Sequence, residues 1–172
     1  MSAPSDPLRI LCKQNLAVEV LRNTGTVRVA ALGYSMLPTL WPGEILTVET
    51  RSLGEIQRGD VVLFAREGRF FIHRCLGQVK TSSQAQLITR GDAMPDRDSP
   101  VSPDELLGKV TSVERRSGEV PVPACTLLRR GTGLLLAYSS RMRSLALRCN
   151  ARRRREVHSE LPETEPDQVL VR

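Results

Sequence analysis

The sequence is poor in several residue types that mark large classes of proteins. Its 172 residues include only six aromatic side chains, two histidines, three lysines and four cysteines. So few aromatics argue against a surface that stacks the bases of single-stranded nucleic acid. The cysteines are scattered singly, without a C-x-x-C pair or zinc spacing, which argues against a metal site and a disulfide framework. We therefore expect no metal, no cofactor and no nucleic-acid partner.

Long hydrophobic runs are also lacking. The longest uninterrupted apolar run lies near residues 134–138, far short of the roughly 20 residues that span a bilayer. The N-terminal stretch carries charges through its apolar pattern, which is not typical of a secretory signal sequence. The sequence thus predicts a protein that is cytoplasmic or bound at the periphery of a membrane.

The positive charge is concentrated in one segment. The formal net charge is +6, yet residues 1–124 hold 15 basic and 14 acidic side chains. Residues 125–156 hold nine basic side chains and one acidic, and residues 157–172 hold one basic and four acidic. The body of the protein is therefore nearly neutral, and its basicity belongs to a C-terminal segment.

The pattern of apolar and turn-forming residues predicts a mainly β fold. Helical spacing indicates a helix over 8–22, and alternating or β-branched segments separated by turn signals indicate short strands. We expect these strands, largely antiparallel, at 26–32, 44–50, 60–65, 69–77, 85–90 and 106–116. The predicted organisation is a lead-in and helix over 1–25, a β domain over 26–120, a basic amphipathic helix over 121–156 and a disordered acidic tail over 157–172. Gly131 and Gly133 are expected to interrupt the first part of the basic helix.

Two segments carry a serine and a histidine suited to nucleophilic catalysis. In "GYSMLPTLWPGE", Ser35 follows a strand end on a turn stiffened by Pro38, which presents both its hydroxyl and its own backbone N–H. His73 lies in the apolar strand "FFIHRCLG", and the only other histidine, His158, lies in the charged tail. His73 is thus the plausible base for Ser35, although a lone histidine in such a strand is more often a core residue.

A third segment, "TRGDAMPDRDSP", supplies carboxylates. Asp92 follows a strand end, and Asp96 and Asp98 lie in the loop beyond it. A carboxylate that holds the imidazole in one tautomer improves a Ser-His pair. The alternative is an Asp-rich turn without catalytic use, and the spacing lacks the pattern of a calcium loop.

Five motifs in order resemble the conserved boxes of the type I signal peptidase superfamily: "GYSMLPTL", "RGDVVLF", "FIHRCLG", "TRGD" with Asp98 six residues after Asp92, and "LLGKV". The resemblance covers roughly residues 26–113. The bacterial housekeeping branch carries a lysine base where this chain has His73, and the archaeal and endoplasmic-reticulum branch carries a histidine. The lysine scarcity agrees with the histidine branch. The resemblance implies a signal-peptidase-like β domain that cleaves precursor peptides after small residues.

Carried over by position, the resemblance assigns roles to single residues. Ser35 would be the nucleophile and His73 the general base, with Asp92 and Asp98 as candidate orienting carboxylates. Gly33 stands where some relatives have a serine that adds a donor to the oxyanion hole. The substrate is expected to bind as an added β-strand. The residues expected to contact it are Gly33, Met36, Pro38 and Phe71; the alternative for Met36 is packing in the core.

We expect the chain to depart from the family in having no membrane anchor, which signal peptidases normally carry, and in this it resembles stand-alone soluble bacterial members. The basic segment 125–156 could replace that anchor by contacting anionic lipid, the alternative being a helix packed on the β domain with a solvated basic face. Two other functions stay open. One is a self-cleaving repressor-like peptidase, although such enzymes use lysine. The other is a catalytically weak or inactive peptide-binding or scaffold module on the same fold.

Overall fold

Seven antiparallel strands form one sheet in the part of the chain that the computed structural model describes, residues 7–81, 84–115, 118–138, 144 and 146–149. The mainly β fold with an N-terminal helix is therefore confirmed. Contacts divide the chain into two units, Met1–Tyr138 and Ser139–Arg172, and the elements below belong to the first. These elements are α1 (Pro7–Thr24), β1 (Thr26–Ala30), β2 (Ile45–Glu49), a 3₁₀ turn (Leu53–Glu55), β3 (Val61–Arg66), β4 (Arg69–Lys80), β5 (Ala85–Arg90), β6 (Leu106–Arg115), β7 (Gly118–Pro121) and α2 (Leu127–Tyr138).

The strand order is β1-β2-β6-β3-β4-β5, and β7 pairs with the outer half of β6. β6 is long enough to pair with β3 through its first residues and with β2 and β7 further along. β7 was not among the predicted strands, because two nearby prolines obscure its pattern. Pro121 is tolerated there because it ends the strand, opposite Ser112.

β3 lies between two hydrophobic clusters, which explains its continuous apolar run. Val61–Phe64 are four consecutive buried residues. Because successive side chains of a strand point to opposite faces, Val61 and Leu63 enter one cluster, whereas Val62 and Phe64 enter the other. The hairpin of β3 and β4 therefore crosses the centre of the sheet, and it is this hairpin that holds His73.

The predicted interruption of the C-terminal helix at Gly131 and Gly133 is wrong. α2 runs through both glycines. A Cβ atom placed at Gly133 would lie 2.6 Å from the carbonyl oxygen of Leu37 and 3.2 Å from that of Asp92. The glycine thus lets the helix pack directly on two loop backbones, and this contact outweighs the poor helix propensity of glycine.

The rest of the predicted basic helix lies mostly outside the described residues. Within the second unit, residues 144 and 146–149 are helical. The predicted acidic tail over 157–172 and the first six residues of the lead-in also lie outside the described residues. No helix in the described ranges is long and apolar enough to cross a membrane.

The two glycines of α2 predict opposite responses to alanine. Gly131 has open space where an alanine methyl group would lie, so Gly131→Ala should raise the free energy of unfolding by up to about 1 kcal/mol through helix propensity. Gly133→Ala should lower it by about 1–3 kcal/mol, because the methyl group would press on fixed backbone atoms. Urea denaturation of both variants measures the difference, and an equal stabilisation by both would contradict the proposed packing of α2.

Candidate active site

Ser35 lies on the loop that joins β1 to β2. Immediately after it the chain makes a tight turn, in which the carbonyl oxygen of Met36 accepts hydrogen bonds from the N–H groups of Thr39 and Leu40. Apart from the half-buried Pro38, the side chains of this turn are buried, whereas Ser35 itself is half-buried. The loop therefore holds the serine at the surface on a base that is anchored in the core.

His73 is placed by the register of the β3–β4 hairpin. It pairs with Val62 and shares a face of β4 with Phe71. Its ring lies 6.0 Å from the Phe64 ring centroid and 6.1 Å from that of Phe71. Only 7% of the residue is exposed. Packing against two aromatic rings restricts the imidazole, so its two nitrogens have defined partners.

Ser35, His73 and Asp98 form a continuous chain of hydrogen bonds. Ser35 Oγ lies 3.0 Å from His73 Nε2, and His73 Nδ1 lies 2.7 Å from Asp98 Oδ2. An ionised carboxylate only accepts hydrogen bonds, so Nδ1 carries the proton that it donates to Asp98. Nε2 of the neutral ring then accepts the hydroxyl proton of Ser35, which is the arrangement that a serine nucleophile and its base require.

Asp98 is held as an anion by several donors. Thr89 Oγ1 donates to Asp98 Oδ2 at 2.7 Å, and the Asp98 N–H donates to the Thr89 carbonyl at 2.9 Å. Burial by itself would raise the pKa of Asp98, but the hydrogen bonds from His73 and Thr89 and the nearby charges outweigh it. The pKa of Asp98 therefore lies below its ordinary value. A carboxylate that stays ionised can stabilise a protonated imidazole next to it.

Asp92 lies in a different network. It accepts two hydrogen bonds from Arg74, both at 2.8 Å, and one from Thr39 Oγ1 at 2.6 Å. Both Asp92 and Arg74 are buried. Arg74 follows His73 on β4 and so points to the opposite face of the sheet, where it pairs with Asp92. Of the two carboxylates that the sequence offered, Asp98 bonds the imidazole and Asp92 forms a buried ion pair.

The loop that carries Asp92 nevertheless positions Ser35. The N–H of Ala93 donates to the carbonyl oxygen of Ser35 at 2.8 Å. A Cβ atom at Gly91 would lie 2.6 Å from that same oxygen and 3.0 Å from the Ser35 Cβ. Gly91 is therefore required where the two loops touch. In the sequence this glycine only marks the end of a strand. Its role beside Ser35 depends on a contact between distant segments, which no local pattern of residues shows.

The four residues expected to contact substrate differ in how exposed they are. Gly33 is exposed, and a Cβ placed there would lie 4.0 Å from Ser35 Oγ. Pro38 is half-buried, and so is Phe71, whose ring stacks on that of Phe64 behind His73. Met36 is a correction: it is 4% exposed and belongs to the core, so it anchors the serine loop rather than lining a cleft.

Sequence reasoning also missed three exposed apolar side chains that lie close to Ser35, either along the chain or across the loop contact: Leu32, Tyr34 and Met94. Asp96 is exposed at the loop tip and has no place in the hydrogen-bond chain described above. Among the residues whose placement is described, no cluster of three or more His, Cys, Asp and Glu side chains could hold a metal ion.

No protein-family model and no curated protein sequence matches the chain. The interpretation of the site consequently depends on its geometry and on the motifs quoted above.

The hydrogen bond from Thr89 predicts a measurable change in the titration of Asp98. In Thr89→Val the carboxylate loses one donor, so the pKa of Asp98 should rise toward its ordinary value. Thr39→Val is the matched control, because it removes the equivalent hydroxyl donor from Asp92 and should leave the Asp98 pKa unchanged. Carbon-13 NMR titration of the carboxyl groups measures both.

Thr89→Val should also change how the free energy of unfolding depends on pH. A carboxyl pKa that is lowered by folding stabilises the protein above the unfolded-chain value of about 3.9, and this contribution is lost as the pH falls through the folded pKa. The loss of stability caused by Thr89→Val should therefore be largest near neutral pH and shrink below about pH 4. An unshifted Asp98 pKa, or a stability difference that grows on acidification, would contradict this.

Proposed function

We propose that the protein is a serine endopeptidase of the signal-peptidase-like type, which cleaves precursor or signal-type peptides after small residues. The observation that carries this proposal is the chain of hydrogen bonds from Ser35 Oγ through His73 to Asp98, with separations of 3.0 Å and 2.7 Å. The motif resemblance agrees with it, because Ser35 and His73 fall at the positions of the family's nucleophile and base.

In the proposed mechanism, Ser35 Oγ attacks the carbonyl carbon of the peptide bond while His73 Nε2 takes the hydroxyl proton. Asp98 stabilises the resulting imidazolium through Nδ1. His73 then gives the proton to the departing amine, which leaves an acyl-enzyme on Ser35. Water attacks the acyl carbon while His73 Nε2 takes one of its protons. His73 then gives that proton to Ser35 Oγ as the acyl–oxygen bond breaks, which releases the carboxylic product and restores the free serine.

The backbone N–H of Ser35 supports the developing oxyanion. Within the described chain this group donates no hydrogen bond to a protein atom, so it is available to substrate. A glycine at position 33 supplies no hydroxyl beside it, which leaves fewer donors than a serine would. We expect a modest turnover as a result.

Substrate is proposed to bind along the segment that precedes Ser35. No hydrogen bond in the described residues uses the backbone groups of Leu32 or Gly33, and the side chains of Leu32 and Tyr34 are exposed. An extended peptide can pair with these free backbone groups as an added strand. Such pairing would bring the peptide bond to Ser35 and leave alternate substrate side chains facing the protein.

The alternative is a peptide-binding or scaffold module that does not cleave. The glycine at position 33 favours it, since a weaker oxyanion hole lowers the rate of cleavage without affecting strand pairing. A self-cleaving repressor-like activity receives no comparable support, since His73 rather than a lysine contacts Ser35.

The proposed peptidase activity is tested with a complex peptide mixture whose products are read by mass spectrometry. Ser35→Ala and His73→Ala should each reduce cleavage by about 10³-fold or more, because each removes a member of the hydrogen-bonded chain. Asp98→Asn should also reduce it strongly, because the amide favours the wrong imidazole tautomer. Ser112→Ala and His158→Ala are controls at another serine and at the only other histidine.

The wild-type protein should cut after small residues, and the two control variants should cut at the same sites. Cleavage that persists in both Ser35→Ala and His73→Ala would refute the mechanism. Binding of peptides without any cleavage by the wild-type protein would favour the scaffold alternative.

We also propose that the protein contacts anionic membrane surfaces at their periphery through α2 and the basic segment that follows it. Leu128 and Leu135 are 78% and 53% exposed, and seven residues place them within about 20° of each other around the helix. They lie roughly 140° and 160° around the helix from Gly133, hence on the face that points away from the loop backbones of Leu37 and Asp92. Residues 139–156 then add seven arginines and one glutamate. Each basic residue near such a surface contributes about 1 kcal/mol.

This contact predicts sensitivity to both leucines and arginines. In vesicle flotation, the full chain should bind phosphatidylglycerol vesicles and not phosphatidylcholine vesicles, and high salt should weaken binding. Leu128→Asp with Leu135→Asp should reduce binding, as should glutamine at the four arginines of 152–155. Leu16→Asp is the matched control, because Leu16 is an exposed leucine of α1. Binding that neither set of substitutions reduces would contradict the proposal.

A further inference from the structure

Arg66 ends β3 and connects several parts of the site without touching the reacting atoms. Its Nε and Nη2 atoms donate to the two carboxylate oxygens of Glu105 at 2.5 Å and 2.8 Å. This two-point pairing fixes the plane of the guanidinium, since both partners are planar and rigid. Glu105 is itself anchored, because it accepts a hydrogen bond from the N–H of Ser102 at 2.9 Å.

The remaining donors of Arg66 hold the loop that carries Asp98. Nη1 donates to the carbonyl oxygen of Ser99 at 3.2 Å, and Nη2 donates to that of Pro100 at 2.9 Å. These are the two residues directly after Asp98. Asp98 is thus fixed on one side by its hydrogen bonds with Thr89. On the other side it is fixed by the backbone of residues 99 and 100, which accepts hydrogen bonds from Arg66.

Arg66 also lies against the aromatic ring next to the base. Its guanidinium carbon lies 5.5 Å from the centroid of the Phe64 ring, within the range of a cation–π contact. The same ring packs edge-on against His73 at 6.0 Å. One arginine side chain therefore contacts both the loop of the orienting carboxylate and the ring that restrains the imidazole.

The ion pair of Arg66 and Glu105 stays charged near neutral pH. The hydrogen bond from Arg66 is the main reason that the pKa of Glu105 is lowered to about 2, so the ion pair persists until strongly acidic conditions. Arg66 faces Glu105, Asp98 and Glu67.

We propose that Arg66 is a positioning residue of the peptidase site. By donating hydrogen bonds to the backbone carbonyls of residues 99 and 100, it holds Asp98 against His73 Nδ1. Its effect on catalysis rests on the proposed function, whereas its effect on the His73–Asp98 hydrogen bond does not. The inference extends the site from three side chains to a fourth that the motif boxes do not identify.

The experiment reads the His73–Asp98 hydrogen bond directly by NMR. The chain has two histidines, so the Nδ1–H proton of His73 can be assigned with His73→Gln and His158→Gln. In the wild type this proton should resonate far downfield because it is shared with a carboxylate. Arg66→Met should remove or strongly shift that signal, should raise the pKa of Asp98, and should lower kcat by about 10²-fold with a much smaller change in KM.

Arg66→Lys separates charge from geometry. Lysine keeps a positive charge but cannot donate to Glu105 and two carbonyl groups in one plane. The pKa of Asp98 should therefore remain closer to the wild-type value than in Arg66→Met, while the His73 signal is not restored. A full return of the signal with lysine would overturn the role proposed for the guanidinium fork.

Arg115→Met is the matched control. The Arg115 side chain is 30% exposed, against 24% for Arg66. Like Arg66 it binds one carboxylate, that of Glu44, but it binds one loop carbonyl, that of Thr39, where Arg66 binds two. It should lower the thermal stability but leave the His73 Nδ1–H signal in place. A folded Arg66→Met protein that retains the wild-type signal would overturn the inference.

Glu105→Gln tests the same role of Arg66 by another route, and the wild-type readouts separate this role from the proposed function. If Arg66→Met does not fold, Glu105→Gln removes the anchor of the guanidinium while leaving Arg66 in place, and it should weaken the same His73 signal. A wild-type protein that shows the signal but cleaves no peptide would refute the proposed function alone. A wild-type protein that cleaves, with an unaltered His73 signal in every Arg66 variant, would refute the positioning role alone.

Discussion

The arrangement of the site depends on the pleat of β4. His73 and Arg74 are neighbours in sequence, and the alternation of side chains along a strand sends them to opposite faces. Each meets its own carboxylate: His73 bonds Asp98 beside Ser35, and Arg74 binds Asp92 in a buried pair. A one-residue change of register between β3 and β4 would exchange the two faces and bring an arginine to the serine. The central, doubly buried position of β3 makes such a slip costly.

Close backbone contacts then join the loops that this strand places. Gly91 lets the loop after β5 touch the backbone of Ser35, and Gly133 lets α2 touch Leu37 and Asp92. Both glycines leave room for carbonyl groups where a methyl group would collide. The loop of Ser35, the loop of Asp92 and the last helix of the first unit therefore pack together. A helix whose outer face carries exposed leucines is in this way attached directly to the loops around Ser35.

Much of the fold and part of the site could be predicted from the sequence. The strands from 26 to 115 follow from alternating and β-branched segments, because those patterns reflect local burial. The serine stands out because it lies on a stiff turn, and the histidine because the chain has only one other. The helix through Gly131 and Gly133 was predicted wrongly, because the packing that compensates the second glycine is provided by segments about 40 and 100 residues away. Met36 was ambiguous for the same reason.

By itself the sequence determined which chemical groups are available: one serine on a turn, one histidine in a strand, three aspartates after a strand, two of them candidates to orient the histidine, and few lysines. Only the tertiary structure decided how they combine. Asp92 and Asp98 are the same residue type, six positions apart in one loop, and the choice between them depends on which face of β4 each side chain reaches. The roles of Thr89, Gly91 and Arg66 likewise arise from contacts between distant segments. Such contacts are set by strand register and packing, which no local pattern of residues encodes.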